Sequence, residues 1–377
     1  MVTKRNLLII LIASVLTGWS TPVLAQEEDS TTPIPPVVVA HSGSGLIGAP
    51  QEWQSGLPVG GTFGSNDSAS DSSRPSIARP VVANPRRATI ALALGGGGVR
   101  GAAHIGVLRV FEREGIPVDF IAGNSMGAVV GGMYAAGVPL DSLEQMFVDH
   151  SLFKAFAPVP VGLKLMTIPP RALVRSIKRL TGLKTGLVGL YSTNGVAELV
   201  NTRVSANMRN IEDTAIPFVA VATNVLDGRT YALESGNLGR AVQASSAIPL
   251  YIKPIEIDGK LLVDGALRAN VPTLQARRSE ADIVISVNVD EDLRAINQKS
   301  LRSTRRFTDL VMSMMLAQLD EQQAAMGDLE IRPRLVGIPL YSRSDVDAVN
   351  AMHAGEAAAM RAIPKIRALM NGKLAKL

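Results

Sequence analysis

Cysteine is absent from this 377-residue chain. That excludes disulfides, thiolate-held metals, cysteine nucleophiles and attachment of a lipid through an N-terminal cysteine. Histidine is scarce. His41, His104, His150 and His353 are the whole supply, so any histidine-dependent chemistry must use one of these four. The apolar stretch Leu7 to Leu16 falls short of the roughly 20 residues that a membrane-spanning helix needs. There is no internal repeat, and no carboxylate spacing of the calcium-loop kind, so neither a metal nor a cofactor is expected. The formal charge of +5 is mild for this length and does not demand a nucleic-acid partner.

The N-terminus has the layout of an export signal. Lys4 and Arg5 precede the apolar stretch, and Val23-Leu24-Ala25 supplies small residues for cleavage. Residues 1–25 are therefore expected to be a signal peptide, an uncleaved anchor being the other reading, and the mature chain to be periplasmic or secreted. Residues 26–86 are crowded with Ser, Gly, Pro and Thr, and their apolar residues have no period. Such a stretch cannot bury enough surface to offset its ordering entropy, and it is expected to be a disordered linker. From residue 87 to 377 the pattern changes. The apolar runs Ala88 to Leu94, Val118 to Ala122, Phe218 to Thr223 and Ile283 to Val289 suit buried strands. Helical stretches at Ala102 to Glu114, Met126 to Ala136, Arg305 to Ala325 and Asp347 to Leu369 alternate with them. This order predicts a single α/β domain with a mainly parallel central sheet and helices on both faces.

Two glycine-rich segments sit at strand-to-helix turns. Gly123-Asn124-Ser125-Met126-Gly127 holds a serine where a sharp turn would expose its oxygen, with the positive end of the next helix aimed at the same point. Gly96-Gly97-Gly98-Val99-Arg100-Gly101 lets backbone N–H groups converge on an anion without side-chain obstruction. That loop suits an oxyanion hole. It also satisfies the G-x-G-x-x-G pattern of dinucleotide sites, but those expect an acidic residue near the end of the second strand. Asp119 lies near that strand's start, which disfavours the cofactor. Arg100 suits orientation of the loop, contact with a lipid phosphate, or the plain role of an arginine at a helix start.

Three Asp-Gly pairs occur later. Asp227-Gly228 and Asp258-Gly259 lie between strand-like runs, as hairpin turns do. Asp264-Gly265-Ala266 instead ends the strand Lys260 to Val263 and continues into Leu-Arg-Ala-Asn-Val-Pro. Strand ends are where α/β sheets place catalytic groups.

The glycine loop, Gly-Asn-Ser-Met-Gly, Ala244-Ser-Ser-Ala-Ile-Pro249 and Asp-Gly-Ala, in that order, resemble the four blocks of patatin-like phospholipases, over about Ile90 to Leu369. The resemblance implies a bacterial, exported member of that family, with a patatin-like domain at 87–377. It implies lipid acyl hydrolysis by a Ser–Asp dyad, with Ser125 as nucleophile and Asp264 as base. The backbone of Gly96, Gly97, Gly98, Val99 and Arg100 would be the oxyanion hole, supported by Gly101, Gly123, Gly127, Gly265 and Ala266. The implied partner is a phospholipid or another acyl ester.

A carboxylate is a weak base for an alcohol. Proton transfer must therefore accompany attack while the oxyanion hole takes up charge. The alternative classes are a Ser125–Asp264–His353 triad esterase and a non-catalytic lipid-binding protein on the same fold. His353 falls within a helical run, unlike a triad histidine on a loop. Between residues 150 and 190 seven Lys and Arg occur with no acidic residue. Leu173, Val174, Ile177 and Leu180 share one face of a basic helix there. This segment suits peripheral contact with an anionic membrane, or a core-packed helix with a solvated basic back.

Overall fold

The computed structural model describes residues 80–81, 87–156, 194–249, 251–290 and 304–374, all within the compact unit Asp71–Leu377. The expected signal peptide, most of the expected linker, and residues 157–190 of the basic segment lie outside the described residues.

The strands are β1 (Ile90–Leu94), β2 (Phe120–Asn124), β3 (Phe218–Asn224), β4 (Thr230–Leu233), β5 (Ile255–Ile257), β6 (Lys260–Asp264), β7 (Ile283–Val287) and β8 (Leu329–Ile331). The helices are α1 (Ala103–Arg113), α2 (Met126–Ala135), α3 (Leu140–Val148), α4 (Ser151–Phe156), α5 (Asn194–Arg203), α6 (Leu238–Ser245), α7 (Ala266–Ala269), α8 (Thr273–Arg277), α9 (Thr304–Ala324) and α10 (Asp345–Leu374). The sheet order is β5-β6-β3-β2-β1-β7-β8, with β4 also paired to β3. Its centre is parallel: β1 pairs β2 and β7, β2 pairs β3, and β7 pairs β8. The β3–β4, β3–β6 and β5–β6 pairs are antiparallel. The α/β architecture with a mostly parallel sheet is thus the one the alternating pattern foretold.

Period-two alternation splits β1 between the two faces. Ile90, Leu92 and Leu94 enter the large core, while Ala91 and Ala93 join a thinner layer with Phe120, Ala122 and Ala276. Small residues on the second face let α8 lie close to the strands. On the first face α1 and α10 approach backbone to backbone. A Cβ on Gly106 would meet the Met352 carbonyl, and one on Gly355 would meet that of Ala103.

Two structural details revise the sequence reading. Pro80 and Val81 fall inside the expected linker, yet Val81 N–H donates to the Ser279 carbonyl at 2.9 Å and its side chain packs on the thinner layer. Asp119, just before β2 and read from the sequence only as misplaced for a dinucleotide site, is a structural tie. Arg87 donates to both its oxygens at 2.7 Å and Ile90 N–H donates at 2.8 Å.

Candidate active site

β3 pairs in register with the ends of both chemistry-bearing strands. Val221 opposes Asn124 and the next residue, Ala222, opposes Asp264. Residues 140 positions apart in sequence are thereby placed beside one another. Two blocks of the sequence meet here because one strand templates both.

Ser125 forms the turn between β2 and α2 with φ 51° and ψ −121°, a region that disfavours any side chain. It occupies the N-cap position, where serine ordinarily accepts a backbone N–H, yet its side chain makes no cap hydrogen bond. The usual structural reason for a serine is missing. Its backbone N–H is held instead by Ser245 Oγ at 3.0 Å, and Ser245 donates in turn to the Val221 carbonyl at 2.6 Å. Gly123 and Gly127 make the turn possible: the site of a Gly123 Cβ lies 2.6 Å from the Gly127 carbonyl oxygen, and α2 passes against the end of β1.

Asp264 is buried at the end of β6. Its backbone N–H donates to the Ala247 carbonyl at 3.0 Å, and its Oδ1 accepts the Ala266 N–H at 2.9 Å across Gly265. Burial pushes the carboxyl up to about 6, opposed by hydrogen bonds with Ala266 N–H and with the side chains of Ser125 and Asn124. The serine and the carboxyl are therefore direct neighbours. No histidine figures among the partners of Asp264. His353 is exposed on α10, His150 is exposed after α3, and His41 lies outside the described residues. His104 is buried and directed at the Gly95 carbonyl, 2.8 Å from Nε2. Burial lowers its pKa to about 4, so it is a neutral tie under the glycine loop.

The loop residues are not equivalent. Gly96 N–H donates to the Asn270 carbonyl, Val99 N–H to that of Leu340 and Arg100 N–H to that of Gly97, each at 3.1 Å. Of the five residues expected to form an oxyanion hole, three already spend their N–H groups on the protein. Gly97 and Gly98 are the two without a backbone acceptor among the described residues. Gly98 adopts φ +55° against the Leu340 carbonyl, and a Cβ on Gly96 would approach Ser125 Cβ to 3.0 Å. Position 98 requires glycine, and a Cβ at 96 would displace the Asn270 and Asn124 amides, 2.5 and 2.9 Å away. Gly101 is pressed against Met126, so the loop and the serine's helix are packed as one body.

Arg100 is fully buried, and its Nε donates to the Ile338 carbonyl at 2.7 Å. This corrects one of its expected roles. The guanidinium is turned inward to hold the loop and cannot meet a lipid phosphate.

Several residues at this centre carried no role in the sequence reading. Ser245 lay in a recognised block, and Asn124 and Asn270 lay within or just after two others. Asn124 Nδ2 donates to Asn270 Oδ1 at 3.1 Å, and Asn270 Nδ2 to Asp320 Oδ2 at 2.9 Å. A polar residue inside an otherwise apolar strand end was the available signal for Asn124. Nothing local marked Asp320, in the middle of α9. Replacing Ser245 with alanine is expected to cost about 1–3 kcal/mol by stranding two buried backbone groups. Chemical denaturation checks this, and an unchanged midpoint would show that the turn does not lean on Ser245.

Residues 92–277 match the patatin-like phospholipase family. The chain is 37% identical over 201 residues to an uncharacterised NTE-family protein of Mycobacterium tuberculosis, covering 53% of this chain and 49% of that one. It is 32% identical over 225 residues to human patatin-like phospholipase domain-containing protein 6, covering 59% of this chain and 14% of that one. It is 30% identical over 201 residues to a lysophospholipase of Scheffersomyces stipitis, covering 53% and 12%. The chain thus spans about half the length of the mycobacterial relative, and far less of the other two. Among solved structures, VipD of Legionella pneumophila aligns with a TM-score of 0.41 at 13% identity, over 78% of this chain and 72% of that one. Between Leu92 and Arg277, just under half of its length, this chain is similar to the patatin-like phospholipase family.

Proposed function

We propose that this chain is an exported lipid acyl hydrolase that works through a Ser125–Asp264 dyad. The observation that carries this reading is the pairing of an uncapped, strained serine with a buried carboxyl, beside a loop in which two N–H groups have no backbone acceptor among the described residues. In the first step Ser125 Oγ attacks the ester carbonyl carbon while its proton passes to Asp264. The carbonyl oxygen becomes negative against the N–H groups of Gly97 and Gly98. Asp264 then returns the proton to the departing alcohol, leaving an acyl-serine. Water repeats the sequence, with Asp264 again as base, and releases the fatty acid.

The serine assignment is tested with a fluorophosphonate probe. One covalent label on Ser125, together with fatty-acid release from a phospholipid or lysophospholipid, is the expected result. A protein that binds lipid yet neither labels nor releases fatty acid would be the non-catalytic alternative.

Peripheral contact with the membrane is part of this reading. Among the described residues, α9 offers a second candidate beside the basic segment. Phe307, Val311, Met314 and Met315 repeat at helical spacing on its outer side, Phe307 being 54% and Met315 71% exposed. Leu267, three residues beyond Asp264 on α7, is also exposed. Substituting Phe307 and Met315 by glutamate is expected to weaken vesicle binding about tenfold or more, while turnover of a soluble short-chain ester stays unchanged. Co-sedimentation with vesicles checks this, and undiminished binding would remove α9 from the docking face.

A further inference from the structure

A pair of buried acids stands behind the site, and nothing in the dyad chemistry uses it. Asp320 on α9 is fully buried, and Asp290, three residues beyond β7, is 5% exposed. The two side chains are hydrogen-bond and electrostatic partners. Two carboxylates in contact inside a protein cannot both stay ionised, because the repulsion adds to the cost of removing each charge from water. Among the described residues, Asp290 Oδ2 and Asp320 Oδ1 accept no hydrogen bond. That is the arrangement expected of two oxygens holding a proton between them. Burial, then Asp290, raises the pKa of Asp320, opposed by Asn270 and by the positive charge of Arg332. Arg332 also pairs with Glu321, and Glu330 accepts the Asn288 amide.

The remaining Asp320 oxygen determines the geometry on the site's side. Asp320 Oδ2 accepts Asn270 Nδ2 at 2.9 Å, which turns Asn270 Oδ1 toward Asn124 Nδ2, 3.1 Å away. Reversing the Asn270 amide would oppose acceptor to acceptor at Asp320 and donor to donor at Asn124. Asn124 is itself a partner of Asp264. The Asn270 carbonyl holds Gly96 N–H at 3.1 Å, and α9 grips the same segment again where Gln323 Oε1 accepts Val271 N–H at 3.0 Å. Asn270 thus touches both the glycine loop and the residue preceding Ser125.

We propose that Asp290 and Asp320, sharing one proton, act as a positioning pair that fixes Asn270, and through it Asn124 and the glycine loop, around Ser125 and Asp264. This rests on the hydrolase reading above. Neither acid touches substrate. Their role is to keep one polarity along a buried chain of hydrogen bonds, so that Asn124 always presents a donor to the base.

The test uses the full chain and a soluble ester, assayed from acid to alkaline pH, with fluorophosphonate labelling in parallel. Asp320→Ala removes the acceptor for Asn270 and is expected to lower kcat and the labelling rate about tenfold or more, with KM nearly unchanged. Asp290→Asn replaces the shared proton by a permanent amide donor. It is expected to keep kcat within about threefold at neutral pH and to lose the alkaline fall in activity that ionisation of the pair causes in the parent. A wild-type-minus-Asp290→Asn infrared difference spectrum at neutral pH should contain the carbonyl band of a protonated acid, whether or not Asp320→Ala folds. An active parent whose Asp320→Ala variant keeps its kcat would overturn the proposal. So would the absence of that infrared band, or an Asp290→Asn variant as impaired as Asp290→Ala. An inactive, unlabelled parent would instead bring down the hydrolase reading, and this positioning role with it.

Discussion

Ser125→Ala is expected to abolish ester hydrolysis and fluorophosphonate labelling, with a fall in kcat on the order of 10⁴-fold or more. The same protein should fold, with a loss of about 1 kcal/mol at most for the Ser125–Asp264 hydrogen bond. The second half of that expectation separates catalysis from structure. Serine at a helix N-cap usually contributes about 1 kcal/mol through its side-chain acceptor, but Ser125 makes no such bond. What holds the turn is its backbone N–H on Ser245 Oγ, and alanine keeps that N–H. The strain at φ 51° is also the same for alanine as for serine, since both carry a Cβ. Glycine does not. Ser125→Gly should therefore be inactive yet more stable than Ser125→Ala, by about 1 kcal/mol. Urea denaturation of the two variants measures this directly. Hydrolysis surviving in Ser125→Ala would reject the nucleophile, and equal stability of the two variants would reject the strain.

How much of this was legible in the sequence varied with the kind of interaction. Apolar strands and amphipathic helices are local patterns, so β1, β2, β3, β7 and the helices α1, α2, α9 and α10 could be read within a few residues, while the shorter helices α3 to α8 could not. The strand-end positions of Ser125, the glycine loop and Asp264 were also legible, because local composition changes abruptly there. Their adjacency was not. It depends on Val221 and Ala222 pairing with Asn124 and Asp264 in consecutive register, and register is a property of the assembled sheet. The same holds for the loop's donors. Five N–H groups look alike in a glycine-rich string, and only the positions of Asn270, Leu340 and Gly97 reveal which are already engaged. Arg100 illustrates the opposite error. An arginine beside a phosphate-like loop invites a lipid contact, but the carbonyl that receives its Nε belongs to Ile338, more than 200 residues away. Asp320 and Asp290 were invisible for a related reason: an acid on a long helix resembles a solvated one until its neighbours are known.

Asp264→Asn should separate activity from stability in opposite directions. Asparagine can still accept the Ala266 N–H through its amide oxygen, so the strand end should survive. It cannot take the serine's proton, and kcat should fall by about 10²- to 10⁴-fold. In the parent, burial raises the carboxyl to about 6. Only the ionised form is a base, so kcat/KM should decline below about pH 6, by roughly tenfold per pH unit. The stability sign follows from the same shift. A carboxyl held above its unfolded value binds its proton more tightly in the folded state. The site therefore weakens the fold when ionised above about pH 6, and this penalty is relieved as the pH falls through about 6 toward 4. Its size is roughly 3 kcal/mol at most. Asparagine removes the charge altogether, so at neutral pH the variant should be more stable than the parent, and the two should converge near pH 4. His104 acts with the opposite sign. Buried and neutral down to about pH 4, it contributes stability that is lost on acidification below its ordinary value near 6.5. Because both proteins contain His104, subtracting their denaturation curves cancels it and leaves Asp264 alone. A difference that did not shrink on acidification would mean that the carboxyl is solvated and unshifted, and the buried base would have to be given up.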